Sequence, residues 1–151
     1  MHKHKKHWDF FKHSDESFGL FYPLHYTVAG FDTIERAEKV RTAFVEAGFA
    51  EEDVAAASGP FVVEQLETEE GANWLDRLRA GVARVLGTEA GFLDDDLKLA
   101  RRGGAFVFVY TPEDVQIERM HALLKRLHPI FARRYLTAGI ERIHYPPQST
   151  L

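Results

Sequence analysis

Eight histidines supply most of the reactive chemistry open to this chain, because it contains no cysteine. Without thiols there is no disulfide framework, no thiolate nucleophile and no cysteine-held zinc or iron–sulfur centre. His2, His4, His7 and His13 are interleaved with lysines in MHKHKKHWDFFKH. Imidazoles spaced like His2 and His4 can hold a borderline metal such as nickel, copper or zinc. The intervening lysines repel a cation, so a solvated or interface-forming arm is the competing reading. His121 and His128 are seven residues apart, two turns along one predicted helix. That spacing points to half-buried, hydrogen-bonded boundary residues instead of a tight chelate. His25 and His144 offer more. If the first and last strands pair antiparallel, the start of one lies beside the end of the other, with Tyr22, Tyr26 and Tyr145 close by. Such a cluster could ligate a metal, a haem or an anion, and cross-strand aromatic packing is the alternative.

The remaining candidates are weaker. Asp94, Asp95 and Asp96 are consecutive, and on a helix they point about 100° apart, so they do not converge on a cation. In the first turn of a helix beginning near Gly91 they would stabilise its positive end. Arg101-Arg102-Gly103-Gly104 precedes a strand, the reverse of the strand-before-helix context of a phosphate loop, and reads as a helix stop. No Ser/His/Asp set, HExxH or GxSxG is present. The balance leans away from an enzyme. No cofactor is expected, with a metal or haem as the open possibility.

Two stretches, His25–Phe49 and Arg101–Leu127, each run apolar strand, polar turn, amphipathic helix. Leu24–Phe31 predicts a strand. Asp32 as N-cap with Glu35 three residues on, then Ala37, Val40, Phe44 and Ala47 at helical spacing, predicts a helix that stops at Gly48. A short strand follows at Asp53–Ala57. The stretch 61–66 is readable as a helix begun by Ser58-Gly59-Pro60, which is the preferred reading, or as a strand on the strength of Phe-Val-Val. Gly71–Leu86 and Gly91–Arg102 read as further helices. Ala105–Tyr110, AFVFVY, is unbroken apolar, as expected of a strand buried on both faces. Thr111 as N-cap with Pro112 behind it starts another helix, which Pro129 must end. Thr137–Tyr145 alternates as a last strand.

A chain of 151 residues, 45% apolar and 28% charged, is a normal single globular domain with enough length for a sizeable core. Its net charge of −4 argues against nucleic acid as a partner. The charges are segregated: acidic residues without Lys or Arg over 42–76, a basic excess over 77–134, and a polybasic start. No apolar run is long enough to span a membrane, and the first residues lack the apolar core of a secretory signal. The lack of cysteine suits the cytoplasm. Residues 1–22 are read as an arm, 23–147 as the domain and 148–151 as a tail. The arm carries Lys3, Lys5 and Lys6, then Trp8, Phe10 and Phe11. So much aromatic surface favours docking on this chain or a partner over peripheral membrane contact.

The segments TVAGFDTIERAEKVRTAFVEAGFAEEDVAAASG, WLDRL, LARRGGAFVFVYTPED and GIERI resemble the bacterial heat-induced general stress protein domain (general stress protein 17M-like) over roughly residues 25–145. The resemblance implies a role in bacterial stress and carries over no catalytic residues. The His-rich arm and the long segment 127–136, LHPIFARRYL, depart from the family's pattern.

These readings combine into an α/β (α+β) single-domain ferredoxin-like sandwich of about four strands, with extra helices between strands two and three. The strands at 24–31 and 105–110 are expected at the centre, with the first and third helices on one face. The expected role is non-enzymatic, through homo-oligomerisation or a protein partner. The alternatives are a metal-, haem- or small-molecule-binding sensor and a small enzyme with an apolar cavity.

Overall fold

A computed structural model of the chain describes residues 24–66, 88–137 and 139–144. The elements, in chain order, are β1 (Tyr26–Phe31), α1 (Ile34–Glu46), a 3-10 turn (Glu51–Asp53), β2 (Val54–Ser58), α2 (Gly59–Leu66), α3 (Thr88–Arg101), β3 (Ala105–Tyr110), α4 (Asp114–Leu127), β4 (Phe131–Leu136) and β5 (Gly139–His144). The expected helix at 71–86, the arm and the tail lie outside the described residues. No described helix is long and apolar enough to cross a membrane.

The strands form one sheet in the order β2-β3-β1-β4-β5, with every neighbouring pair antiparallel. Two strands that are each antiparallel to the one between them run parallel to each other. β1 and β2 are therefore a parallel pair joined by α1 and split by β3, and β3 and β4 a parallel pair joined by α4 and split by β1. Each half of the duplicated pattern leaves a gap that the other half fills. This is the ferredoxin-like arrangement, extended by a fifth strand on the β4 side. β1 and β3 are central and almost wholly buried, as the unbroken apolar run of β3 and the largely apolar one of β1 require.

The pleat divides the core into two layers. Ala29, Phe31, Val107 and Val109 meet Val40 and Phe44 of α1 and Met120, Leu123 and Leu124 of α4. Tyr26, Val28, Phe106, Phe108, Phe131 and Tyr135 meet Val62 of α2 and Leu97, Leu99 and Ala100 of α3. β2 and β3 are antiparallel neighbours that a tight hairpin could join. Residues 59–104 intervene instead, and the helices they contain cover the second face. The expectation that the first and third helices share a face is thus corrected. The layer mates are α1 and α4, because both are crossovers between parallel strands, whereas α3 belongs to the insertion.

Local signals are mostly displaced by a residue or two. The N-cap of α1 is Thr33, not Asp32, and its hydroxyl accepts the Arg36 N–H at 3.1 Å. Gly48 sits at φ +112°, where a side chain would be strained. Residues 59–66 are helical, and the Ser58 hydroxyl accepts the Phe61 N–H at 3.2 Å. α4 is capped by Glu113, whose N–H donates to the Gln116 side chain at 3.0 Å. Thr111, expected as that cap, is fully buried and its hydroxyl lies 3.0 Å from that of Thr27. α3 begins at Thr88, so Asp94–Asp96 lie inside the helix and not in its first turn. The largest correction is β4. The segment 127–136, read as a long connection, supplies the strand that pairs with β1, and the strand expected over 137–145 is the outer β5.

Candidate functional site

The buried chemistry centres on Arg133, on the sheet face under α3. Strand alternation puts Phe131, Arg133 and Tyr135 on one side of β4. Arg133 is 0% exposed. Its guanidinium carbon lies 4.8 Å from the Phe131 ring centre and 5.6 Å from that of Tyr135. The Arg133 Nε donates to the Tyr135 hydroxyl at 2.9 Å, and Nη2 donates to both Asp96 carboxylate oxygens, at 2.6 and 2.5 Å. Burial pushes the Asp96 carboxyl above the usual carboxylate range. The Arg133 charge and hydrogen bonds pull it partly back, and neighbouring Asp95 adds a smaller upward push. Cation, carboxylate and phenol satisfy one another here, tying α3 to β4. This constellation clamps the layer.

The exposed chemistry gathers elsewhere, in a groove of about 520 Å³ between the C-terminal half of α4 and β5. His121, Lys125 and His128 of α4 border it on one side and His144 of β5 on the other, while Arg142, which also borders it, is the cross-strand neighbour of Arg133 and so belongs to the α3 face of the sheet. Leu124, Pro129 and Ile143 line it with apolar surface. Glu141 also borders the groove, and its carboxylate is 2.9 Å from the guanidinium of Arg134, its cross-strand neighbour. His121 and His128 are exposed, not the half-buried boundary residues expected. His128 ends α4 in the left-handed conformation, φ +52° and ψ +64°, with its N–H donated to the Leu124 carbonyl at 3.1 Å.

His25 and His144 are not brought together. β1 pairs with β4, not with β5, so His144 sits opposite Ala132, which sits opposite Ala29. His25 is two strands away and four residues back along β1. It too has positive φ, +70°, and its main chain accounts for that: its N–H donates to the Tyr135 carbonyl and its carbonyl accepts the Thr111 N–H, both at 2.8 Å. Among the described residues no group of three His, Asp or Glu is arranged to hold a metal. His2, His4, Lys3, Lys5, Lys6, Trp8, Phe10 and Phe11 lie outside the described residues. Sequence reasoning missed the Arg133–Asp96 pair, although Phe-Ala-Arg-Arg-Tyr alternates aromatic, cation, aromatic at the strand period. It also missed that His121, His128 and His144 border one groove, which depends on β5 lying beside α4.

Comparison with family models, curated proteins and solved structures finds no match for this chain.

Proposed function

We propose that this chain is a non-enzymatic binding protein of the bacterial stress response that acts by self-association or by binding a partner protein. The observation that carries the reading is β5. Among the described strands it is the most exposed, with Glu141, Arg142 and His144 open to solvent. It joins the sheet through β4, and among the described residues no strand pairs with its other side. Such an edge offers main-chain N–H and C=O groups that a second chain can complete. The broad sheet face that α1 and α4 leave uncovered carries α2 and α3, so sheet-to-sheet stacking of two copies is disfavoured and edges are left for contact. The segregated acidic and basic stretches support a salt-sensitive contact. The stress setting rests on the sequence resemblance, and a cytoplasmic location on the lack of cysteine.

Sedimentation velocity at low and high salt tests this. A dimer or larger species at micromolar concentration, weakened by salt, by Arg142→Glu, or by deleting residues 2–13, is the expected result. A monomer under both conditions, with no protein retained on the immobilised domain through β5, would sink it.

A further inference from the structure

We propose that the α3 side of the sheet binds a monocarboxylic acid with an apolar body, whose carboxylate takes the place of Asp96 on Arg133. Asp96 is then an internal occupant that keeps the site closed. The inference stands whether or not the chain self-associates. Its first support is the geometry at Arg133. The guanidinium is 0% exposed, lies over the Phe131 and Tyr135 rings, and is oriented by the bond from Nε to the Tyr135 hydroxyl. A stacked, pre-oriented guanidinium is the side chain best suited to a planar carboxylate. Both oxygens of Asp96 nevertheless fall on a single nitrogen, Nη2, at 2.6 and 2.5 Å. The strong form of this pairing uses two nitrogens in parallel. Asp96 is tied to the backbone of α3, so a free acid is able to align with the guanidinium where the tethered side chain is not.

The second support is the cost of the exchange. The Asp96 side chain is 15% exposed and that of Arg133 0%, so the carboxylate is the member of the pair that solvent and a solute reach. Burial holds the Asp96 carboxyl above its usual range against the pull of Arg133, and Asp95 adds to the push. Release of Asp96 to water relieves both. Arg133 meanwhile exchanges one carboxylate for another, so no buried charge is left alone, which is what makes breaking such a pair severe. The charge count calls for one negative charge and not two. Arg133 and its cross-strand neighbour Arg142 stand against Asp95 and Asp96 of α3, and a monocarboxylate in place of Asp96 keeps that balance. The third support is the surroundings. Ile140, opposite Tyr135, and Leu24 are half-buried against the same cluster as Phe106 and Phe131. They give an alkyl or aryl body apolar surface at the rim, beside one well-placed polar group. α3 does not have to leave the sheet. Leu99 is wedged between Gly30 and Gly104, where a Cβ would lie 2.7 and 2.5 Å from it. Asp96 is almost one helical turn away, so its side chain can swing out while that anchor holds.

The test is titration of the full chain with phenylbutyrate, phenylbutanol and acetate, followed by calorimetry and by NMR of the Arg133 Nε–H and the Asp96 carboxyl carbon. Phenylbutyrate should move both signals together. Phenylbutanol lacks the charge and acetate lacks the body, and each should bind at least about tenfold more weakly. Asp96→Asn removes the competing charge and should tighten phenylbutyrate at least about tenfold, because the closed form no longer competes with the ligand. Phenylbutyrate should then raise the thermal midpoint of that variant more than that of the wild type. Arg133→Lys keeps the charge, loses the planar fork, and should weaken phenylbutyrate at least about tenfold. Should either variant fail to fold, the wild-type signals of Arg133 and Asp96 decide alone. Affinity no tighter in Asp96→Asn, or shifts confined to other residues, would overturn the proposal. Equal binding of phenylbutanol would leave only an apolar surface, and equal binding of acetate only an exposed cation. Either outcome overturns the amphipathic acid.

Discussion

Arg133 and Arg134 are chain neighbours on one strand with opposite fates. Arg133 points under α3, is wholly buried, and meets a carboxylate that is 15% exposed. Arg134 points to the other face, beside the rim, and meets Glu141, which is 43% exposed. Their chemistry is the same, so the pleat and the helix layer above each face make the difference. On the α2/α3 face the cation is stacked among aromatic rings, and water cannot replace its partner. On the α1/α4 face the buried layer is hydrocarbon and the charges are pushed to the edge, where solvent screens them. A buried pair of this kind adds little net stability over a well-packed apolar pair, yet breaking it by removing one member is severe.

Arg133→Met is the severest challenge to this contrast. Leaving Asp96 charged and unpaired should cost about 3–5 kcal/mol in urea unfolding near neutral pH. Replacing both members, Arg133→Met with Asp96→Leu, should cost clearly less than the single change. If the two variants are equally unstable, the pair is not coupled in the way described. The pH dependence has a definite direction. The Asp96 carboxyl is already raised by burial, and removing Arg133 takes away both influences that lower it, so it rises further. A carboxyl held above its unfolded-state range favours the folded state more as pH falls. The deficit of Arg133→Met should therefore be greatest at neutral pH and shrink as acidification protonates Asp96. A deficit independent of pH would count against the unpaired-charge explanation.

Crowding of the same face gives a smaller effect. A Cβ at Gly30 would lie 2.7 Å from Leu99 Cδ2 and 2.8 Å from the Phe131 ring. Gly30→Ala should cost roughly 1–3 kcal/mol by overpacking, read from the shift in denaturation midpoint. A neutral result would mean that α3 can move away from the sheet. His128→Gly should act in the opposite sense and stabilise the fold by up to about 1 kcal/mol, because glycine accepts the left-handed helix end without strain. Thermal unfolding would detect it, and a loss would show that the imidazole packs more than it strains. On the exposed side, Glu141→Gln should change stability by no more than about 1 kcal/mol, as surface ion pairs do. A larger loss would erase the contrast between the two arginines.

Much of the frame is legible in the chain itself. The runs YTVAGF and AFVFVY identify the two central strands because a doubly buried strand leaves little room for polar positions, and the one that β1 has, Thr27, is answered by the Thr111 hydroxyl. The spacing of Val40 and Phe44, and of Met120 and Leu124, identifies the crossover helices. The insertion between strands two and three is also readable. β4 is not, because FARRYL carries two arginines, lacks β-branched residues and follows a proline. Its alternation becomes meaningful only once an acidic residue on another element is known to wait for Arg133.

Local patterning is enough for the element types and the two strand–helix units, because periodicity and helix stops act over a few residues. It is silent on which of two adjacent arginines is buried, on Asp96 being a clamp and not a helix-start charge, and on His144 joining His121 and His128 instead of His25. Those outcomes depend on strand order and register. A strand inserted between β1 and the edge moves His144 two strands from His25, and each one-residue step along a strand reverses the face a side chain meets. No single segment carries that information, since it arises when distant segments compete for the same sheet edge and the same buried face.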